Sequence, residues 1–259
     1  MTPRSLTLLL ASTFLGMATP LAAELPNWSY TEQPRLLEAA GPPPPSGADL
    51  AFALDDGTAE GAFGIGGTAA RQFLWFQRFS PAAANLDLQE IRVLFPRAAE
   101  IDPGAPVQLV VFQDIDGDPT TGAQLLYAAD EVVEVADGAT FSVYPLIPAV
   151  GIRGGGDVLI GVVNRWVVSG VTPLHEPAAL DTSAPDDRSW VATWTGDPPD
   201  PPLLPSDEAL FEIGQVVAGD WMIRAYASQT PVVAIPAVGG PGLVLLAFLL
   251  ALMGWRNLR

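Results

Sequence analysis

The sequence predicts an all-β fold, a two-sheet antiparallel sandwich with jelly-roll or Greek-key-like connections, carried between an N-terminal signal helix and a C-terminal transmembrane helix. Three observations predict it. Short apolar runs alternate with polar residues at a period of two: in Glu90-Ile91-Arg92-Val93-Leu94-Phe95, the residues Ile91, Val93 and Phe95 share one face, Glu90 and Arg92 the other. Pro, Gly, Asp and Asn clusters interrupt such runs every ten to twenty residues or so, roughly the spacing of turns in antiparallel sheets. The interior carries no sustained helical stripe, whereas both ends are continuously apolar.

Residues 1–23 read as a signal peptide. Arg4 supplies the positive end, Leu6 to Met17 the apolar run, and Pro20-Leu21-Ala22-Ala23 the small residues before Glu24, with cleavage after Ala23. The run is too short to cross a bilayer. Residues 24–47 read as a Pro-rich spacer: they are sparse in apolar periodicity and end in Gly41-Pro42-Pro43-Pro44-Pro45-Ser46-Gly47, which favours an extended, semi-rigid stalk.

Residues 48–228 read as one ectodomain. Strands are expected over 73–79, 90–95, 107–113, 132–135, 141–146, 189–194 and 221–226. Val158 to Val163 is apolar on both faces and reads as a central strand. Asp102-Pro103-Gly104 and Arg153-Gly154-Gly155-Gly156 mark turns, Ser206-Asp207-Glu208 suits a short cap, and the Pro-rich stretch Asp197 to Pro205 reads as a surface loop within the domain. With both ends set aside, about 180 to 200 residues remain, enough to bury a single sizeable core. That core must hold the fold alone. There is no cysteine, which excludes disulfides, thiolate metal centres and cysteine nucleophiles, while 49% apolar residues and seven Trp supply the packing material.

Residues 229–259 read as a membrane-directed tail. No charge occurs between Pro231 and Arg256; Leu243 to Trp255 is lipid-compatible, and the stretch extended back to Val232 is long enough to span. Trp255 suits the interface, and Arg256 and Arg259 hold the end on the cytoplasmic side, leaving everything upstream outside.

Charge narrows the partners. Acidic residues number 29 and basic residues 12, all of them Arg; without Arg4, Arg256 and Arg259 the ectodomain is near −20. Such a surface repels phosphate backbones, which excludes nucleic acid as a partner. It suits solubility outside the cell, or cation binding.

Two resemblances add to this reading. The segment Ile235-Pro236-Ala237-Val238-Gly239-Gly240-Pro241-Gly242-Leu243, followed by an apolar run and a basic end, resembles the IPTL-type sorting signal of Gram-negative bacteria. Ile235, Pro236, Gly242 and Leu243 match; Ala237 and Val238 stand for Thr and Leu, and Pro241 for Trp. The resemblance implies processing by an exosortase-type membrane enzyme in species that make extracellular polysaccharide, with a final location in the cell envelope, at the surface or outside. Leu54-Asp55-Asp56-Gly57-Thr58-Ala59-Glu60-Gly61 and Gly219-Asp220-Trp221-Met222-Ile223-Arg224-Ala225 look like the opening and closing strands of a β-sandwich module found in secreted bacterial proteins. That resemblance implies an accessory domain without chemistry of its own.

Candidate chemistry is sparse. Asp114-Ile115-Asp116-Gly117-Asp118 places Asp114, Asp116 and Asp118 at alternate positions at a strand end, where a loop can curl them around one hard cation; calcium is the one cofactor suggested. Pro119 and Leu125 exclude an EF-hand, and the same spacing also suits a turn with solvated carboxylates. Asp55, Asp56 and Glu60 form a second acidic group, read as turn residues ahead of metal ligands. Asp186-Asp187-Arg188 reads as a solvated loop. His175, the only histidine, lies in a Pro-flanked stretch and reads as an exposed loop residue, not as part of a triad. Gly64 to Thr68 lacks the Lys of a phosphate loop. Trp75, Trp190, Trp194 and Trp221 read as core, and Trp166, at a strand exit, as the aromatic to test for glycan contact. No catalytic residue is assigned. The expectation is a surface-sorted, non-catalytic protein, with a calcium-assisted carbohydrate-binding module as the alternative and a hydrolase the least favoured.

Overall fold

The computed structural model describes residues 28–33, 39–66, 70–97, 101–167 and 175–230. The predicted signal peptide over 1–23 and the sorting and membrane-stop residues Ile235, Pro236, Ala237, Val238, Gly242, Trp255, Arg256 and Arg259 lie outside these. Among the described residues, no helix is long and apolar enough to cross a membrane.

Apolar and aromatic runs bounded by turn residues form β1 (Trp28–Glu32), β2 (Leu50–Phe52), β3 (Gly61–Ile65), β4 (Leu74–Phe79), β5 (Asn85–Leu94), β6 (Pro106–Asp114) and β7 (Gln124–Val132). They continue as β8 (Phe141–Arg153), β9 (Asp157–Asn164), β10 (Ala178–Asp181), β11 (Ser189–Thr193), β12 (Ala209–Glu212), β13 (Asp220–Trp221) and β14 (Ile223–Gln229). The fold is all-β, and the strand pairs are antiparallel. Six strands pair in the order β12-β11-β4-β9-β6-β7, four as β1-β3-β10-β13 and four as β2-β14-β5-β8. Met222 alone separates β13 from β14. Its N–H donates to Ala179 O (3.1 Å) and its carbonyl accepts from Leu94 N–H (3.0 Å), so one residue joins the two four-stranded sheets into a continuous layer.

Period-two alternation then decides which faces meet. Trp75, Phe79, Leu109, Val111, Ile160 and Val162 of the six-stranded sheet share one buried cluster with Phe63, Leu88, Ile91, Val93, Leu180, Trp221 and Ile223 of the other layer. Fully burying a side chain of this size contributes about 1.5–3 kcal/mol. β9 lies between β4 and β6, as its two-faced apolarity predicts: Val158, Ile160 and Val162 face that cluster while Leu159 and Val163 face a second one. Gly161 is required there, because a Cβ would stand 2.6 Å from Phe76 Cβ and 2.7 Å from Trp75 O. The predicted core tryptophans Trp75, Trp190, Trp194 and Trp221 are all buried, and Trp221 Nε1 donates to Trp190 O (3.0 Å).

The second cluster, with Leu74, Phe76, Val110, Phe112, Leu159, Trp190 and Trp194, lies on the far face of the six-stranded sheet. The Pro-rich 197–205 loop folds back over that face, burying Pro198, Pro202 and Leu204. Arg165 fixes it by donating from Nη1 to Pro198 O (2.8 Å) and from Nη2 to Pro199 O (2.8 Å).

The structure departs from the sequence reading at residues 24–47. Trp28–Glu32 pairs with β3 in full register, so part of the expected spacer is a strand of the domain. The tetraproline run lies on the outer face of the β2-β14-β5-β8 sheet rather than standing free. Arg92 Nη1 and Nη2 donate to Pro42 O (2.7 Å) and Pro43 O (3.0 Å), Arg92 Nε pairs with Glu90 Oε1 (2.6 Å), and its guanidinium stacks 4.3 Å over the Tyr226 ring. A second departure is at 132–135: β7 ends at Val132, and the chain turns away with Val135 N–H donating to Ser142 Oγ (3.0 Å).

Candidate functional site

The predicted acidic loop sits at one end of the six-stranded sheet. Asp114 is the last residue of β6 and stands opposite Asp157, the first of β9, so the two side chains share a face. Gly117 takes a positive φ (76°), which turns the chain back over that face, and its N–H donates to Asp114 Oδ1 (3.2 Å). Arg78 of β4 reaches in from the neighbouring strand, donating to Gly117 O (2.6 Å) and placing Nε 3.8 Å from Asp157 Oδ2.

Asp114 is 1% exposed, and its Oδ2 is buried and accepts from no donor among the described residues. Burial, then a hydrogen bond shared with the Asp116 carboxylate, pushes the Asp114 carboxyl up to about 6. Asp116 is held below the ordinary carboxylate range, first by Thr121 Oγ1, which donates to Oδ2 (2.8 Å), and then by the Asp118 N–H, which donates to Oδ1 (3.1 Å). Asp118 caps the 3-10 turn Pro119–Thr121, with Oδ1 accepting from Thr120 N–H (3.0 Å) and Oγ1 (2.6 Å). Asp116 and Asp118 thus act as turn and cap residues, one of the two readings the alternate spacing allowed.

The second acidic group assembles differently. Asp56, Glu60 and Asp181 bring one carboxylate oxygen each to within 4.8 Å of one another. Each carboxylate accepts hydrogen bonds from the turn: Asp181 Oδ2 from Asp56 N–H (2.6 Å) and Oδ1 from Ser183 N–H (2.8 Å), Glu60 Oε2 from Thr182 N–H (3.0 Å), Asp56 Oδ1 from Thr58 N–H (2.8 Å). This is the bonding of paired Asx turns. Asp55 points elsewhere, onto Arg224, which contacts it through Nη2 (2.5 Å) and Nε (3.0 Å) and stacks over Phe141 at 4.8 Å. That pair joins the two segments singled out as opening and closing strands.

His175 corrects the sequence reading: it is fully buried, not exposed. Its Nε2 lies 2.7 Å from Asn164 Nδ2, while Asn164 Oδ1 accepts from Phe73 N–H (2.9 Å). The Phe73 bond fixes the Asn164 amide with its NH2 toward the imidazole, so Nε2 acts as acceptor and the ring is neutral. Burial accordingly lowers the His175 pKa to about 4. Trp166 is half-buried and packs edge-on to this imidazole at 5.4 Å. Its ring is committed to the fold on that side. The residues 168–174 between them lie outside the described residues.

An aromatic feature missed in the sequence is a groove of about 360 Å3 lined by Trp28, Glu208, Leu210, Phe211, Gln215 and Val216. Trp28 stacks on Phe63 (5.2 Å) and meets Phe211 edge-on (5.3 Å), and its Nε1 is buried with no acceptor among the described residues. Glu208 at the rim pairs with Arg71 (2.8 Å). The Trp28 contribution was hidden because residues 24–47 read as spacer.

Comparison with models of known protein families matches none of them, and neither curated proteins nor solved structures supply a match.

Proposed function

We propose that the chain is an exported, surface-sorted, non-catalytic β-sandwich protein of the cell envelope or extracellular matrix, processed through its tail by an exosortase-type membrane enzyme. The observation that carries the reading is where the strands fall relative to the predicted cleavage points. β1 begins at Trp28, beyond Ala23, and β14 ends at Gln229, before Ile235. Processing at both ends thus leaves every strand among the described residues in place. The two strand layers around one core support a sandwich with Greek-key-like connections, and the Asp55–Arg224 pair supports the likeness to a secreted accessory module.

Mass spectrometry of the mature protein from its native host tests the sorting claim. A C-terminus near Ile235 supports it, whereas an intact Arg259 overturns it in favour of a simple anchor. A reporter fused after Thr230 tests export: activity confined to the cytoplasm overturns the whole reading.

A second reading, an ectodomain that docks extracellular polysaccharide, is favoured by the groove under Trp28 and Phe211. Aromatic faces stack on sugar rings, and the acidic surface selects a neutral glycan. Calorimetry with neutral polysaccharides tests it. Val216→Asp at the exposed rim weakens binding at least tenfold if the groove is the site, and Trp166→Ala does so if the glycan instead contacts the exit of β9; binding unaffected by Val216→Asp overturns the groove.

A further inference from the structure

We propose that Asp114 and Asp116 form a proton-operated latch: with one proton between them the 115–118 loop lies closed over the end of β6 and the start of β9, and loss of that proton releases the loop.

Geometry carries the first step. Asp114 is the last residue of β6 and is 1% exposed; the Gly117 N–H reaches its Oδ1 at 3.2 Å, and Oδ2 accepts from no donor among the described residues. Ionised, it would be a buried charge with one long hydrogen bond, a state that a carboxyl group avoids by keeping its proton. The charged groups around it act in the same direction. Asp116 stands beside it on the loop, and Asp157, its cross-strand partner, shares its face from β9. Arg78 reaches in from β4, but its Nη1 bonds the Gly117 carbonyl (2.6 Å) and its Nε stands 3.8 Å from Asp157. Two further charges are committed elsewhere: Asp118 to its cap, and Arg153, in the turn between β8 and β9, to Asp87 and the Leu86 carbonyl. A proton shared with Asp116 therefore resolves what no cationic side chain does.

The hydrogen-bond donors decide which carboxyl holds the proton. Asp116 accepts from Thr121 Oγ1 (2.8 Å) and the Asp118 N–H (3.1 Å), which favours its charged form. Asp114 lacks such donors, so it is the protonated partner and bonds Asp116, with its carboxyl raised to about 6 by burial and then by that bond. The loop is the part that can respond. Asp114 is held in β6 by pairing with β9, whereas residues 115–118 belong to no strand, and Ile115, Asp116 and Asp118 are exposed. The loop closes tightly against the β8–β9 turn, where a Cβ on Gly156 would stand 2.5 Å from Asp114 O and 2.8 Å from Ile115 Cα. Once ionised, Asp114 gains water and distance from Asp116 when the loop lifts. The sign follows from the raised carboxyl, which binds its proton more tightly closed than open. Closure is strongest below the ordinary value of 3.8 and weakens as the pH rises through 6, so the opening constant increases about tenfold between pH 5 and pH 7.

Amide hydrogen exchange followed by NMR tests the latch on the full chain, purified in detergent with chelator present throughout. The reporter is the Gly117 N–H, whose bond to Asp114 Oδ1 is broken when the loop lifts. Its protection factor, corrected for the intrinsic exchange rate, should fall about tenfold from pH 5 to pH 7. Asp114→Asn keeps the shape of the protonated carboxyl and can donate to Asp116 at every pH, so its Gly117 protection should change less than about twofold. Asp118→Asn, which removes a charge from the same loop and retains a capping side chain, should keep the full fall. Carbon-13 spectra should show the Asp114 carboxyl titrating near pH 6. Equal Gly117 protection at both pH values in the parent overturns the proposal, as does a tenfold fall that survives Asp114→Asn or an Asp114 carboxyl that titrates at its ordinary value. A fall shared equally by the Ile160 N–H of the central strand β9 reports unfolding of the whole domain and also overturns it. None of these outcomes touches the sorting claim, which rests on the mature terminus.

Discussion

His175 makes the fold acid-sensitive by a calculable amount. Its imidazole is buried, accepts from an Asn164 amide that Phe73 holds in place, and has its pKa lowered from 6.5 to about 4. In the unfolded chain the same ring titrates near its ordinary value. Between the two pKa values the unfolded state binds a proton that the folded state rejects. Stability from the neutral ring is therefore complete above about pH 6.5 and is lost as the pH falls toward 4. The loss relative to pH 7 comes to about 2 kcal/mol at pH 5 and about 3 kcal/mol at pH 4. In a chain of this size 2 kcal/mol corresponds to a drop of about 4–8 °C in melting temperature. Two buried carboxyls act with the opposite sign: burial raises Asp220, and raises Asp114 to about 6. The clean measurement is therefore a difference. Urea denaturation at pH 7 and pH 5 is compared between the parent and His175→Gln, whose amide oxygen can accept from Asn164 but cannot be protonated. The parent should lose about 2 kcal/mol more than the variant over that interval. Equal losses in both would refute the assignment of a neutral, acceptor imidazole.

The packing sets three more expectations. Arg92→Ala should cost about 3–5 kcal/mol in urea denaturation, because Glu90 is left buried without its partner, and limited proteolysis should newly cut within 41–47 once Pro42 and Pro43 lose their donor. Gly161→Ala should destabilise by at least about 1–3 kcal/mol, since the added methyl meets Phe76 and the Trp75 carbonyl in the middle of the central sheet. Arg224→Ala should cost a similar 3–5 kcal/mol or so by stranding buried Asp55, and Arg224→Lys should restore only part of it, because an ammonium cannot reproduce the two-nitrogen contact.

What could be read from sequence followed residue chemistry closely. β4, β5, β6 and β9 are rich in Val, Ile, Leu and aromatic residues with clear alternation or two-faced apolarity, and their positions were legible within a few residues. β10 (AALD), β12 (ALFE) and β7 (QLLYAADEV) carry weak or helix-favouring residues, and pairing with β3, β11 and β6 makes them strands. No local pattern encodes that tertiary override. Asp116 and Asp114 were legible as a pair because they are neighbours in the chain. Asp157 was not, since its approach depends on the register of β6 against β9. His175 was misread for a related reason: flanking prolines signalled a loop, while its burial depends on Asn164, eleven positions away along the chain.

Met222, the junction of the two four-stranded sheets, sets where the closing strand begins. β14 follows it directly, lies between β2 and β5, and ends at Gln229 beside the segment assigned to the tail. A pull transmitted from an anchored terminus along the strand axis enters the molecule at Gln229 and strains the rungs on both flanks of β14 simultaneously. Shear of that kind resists rupture better than peeling, in which rungs fail singly. Were the chain held at its C-terminal end, as proposed above, the closing strand would take the load in shear.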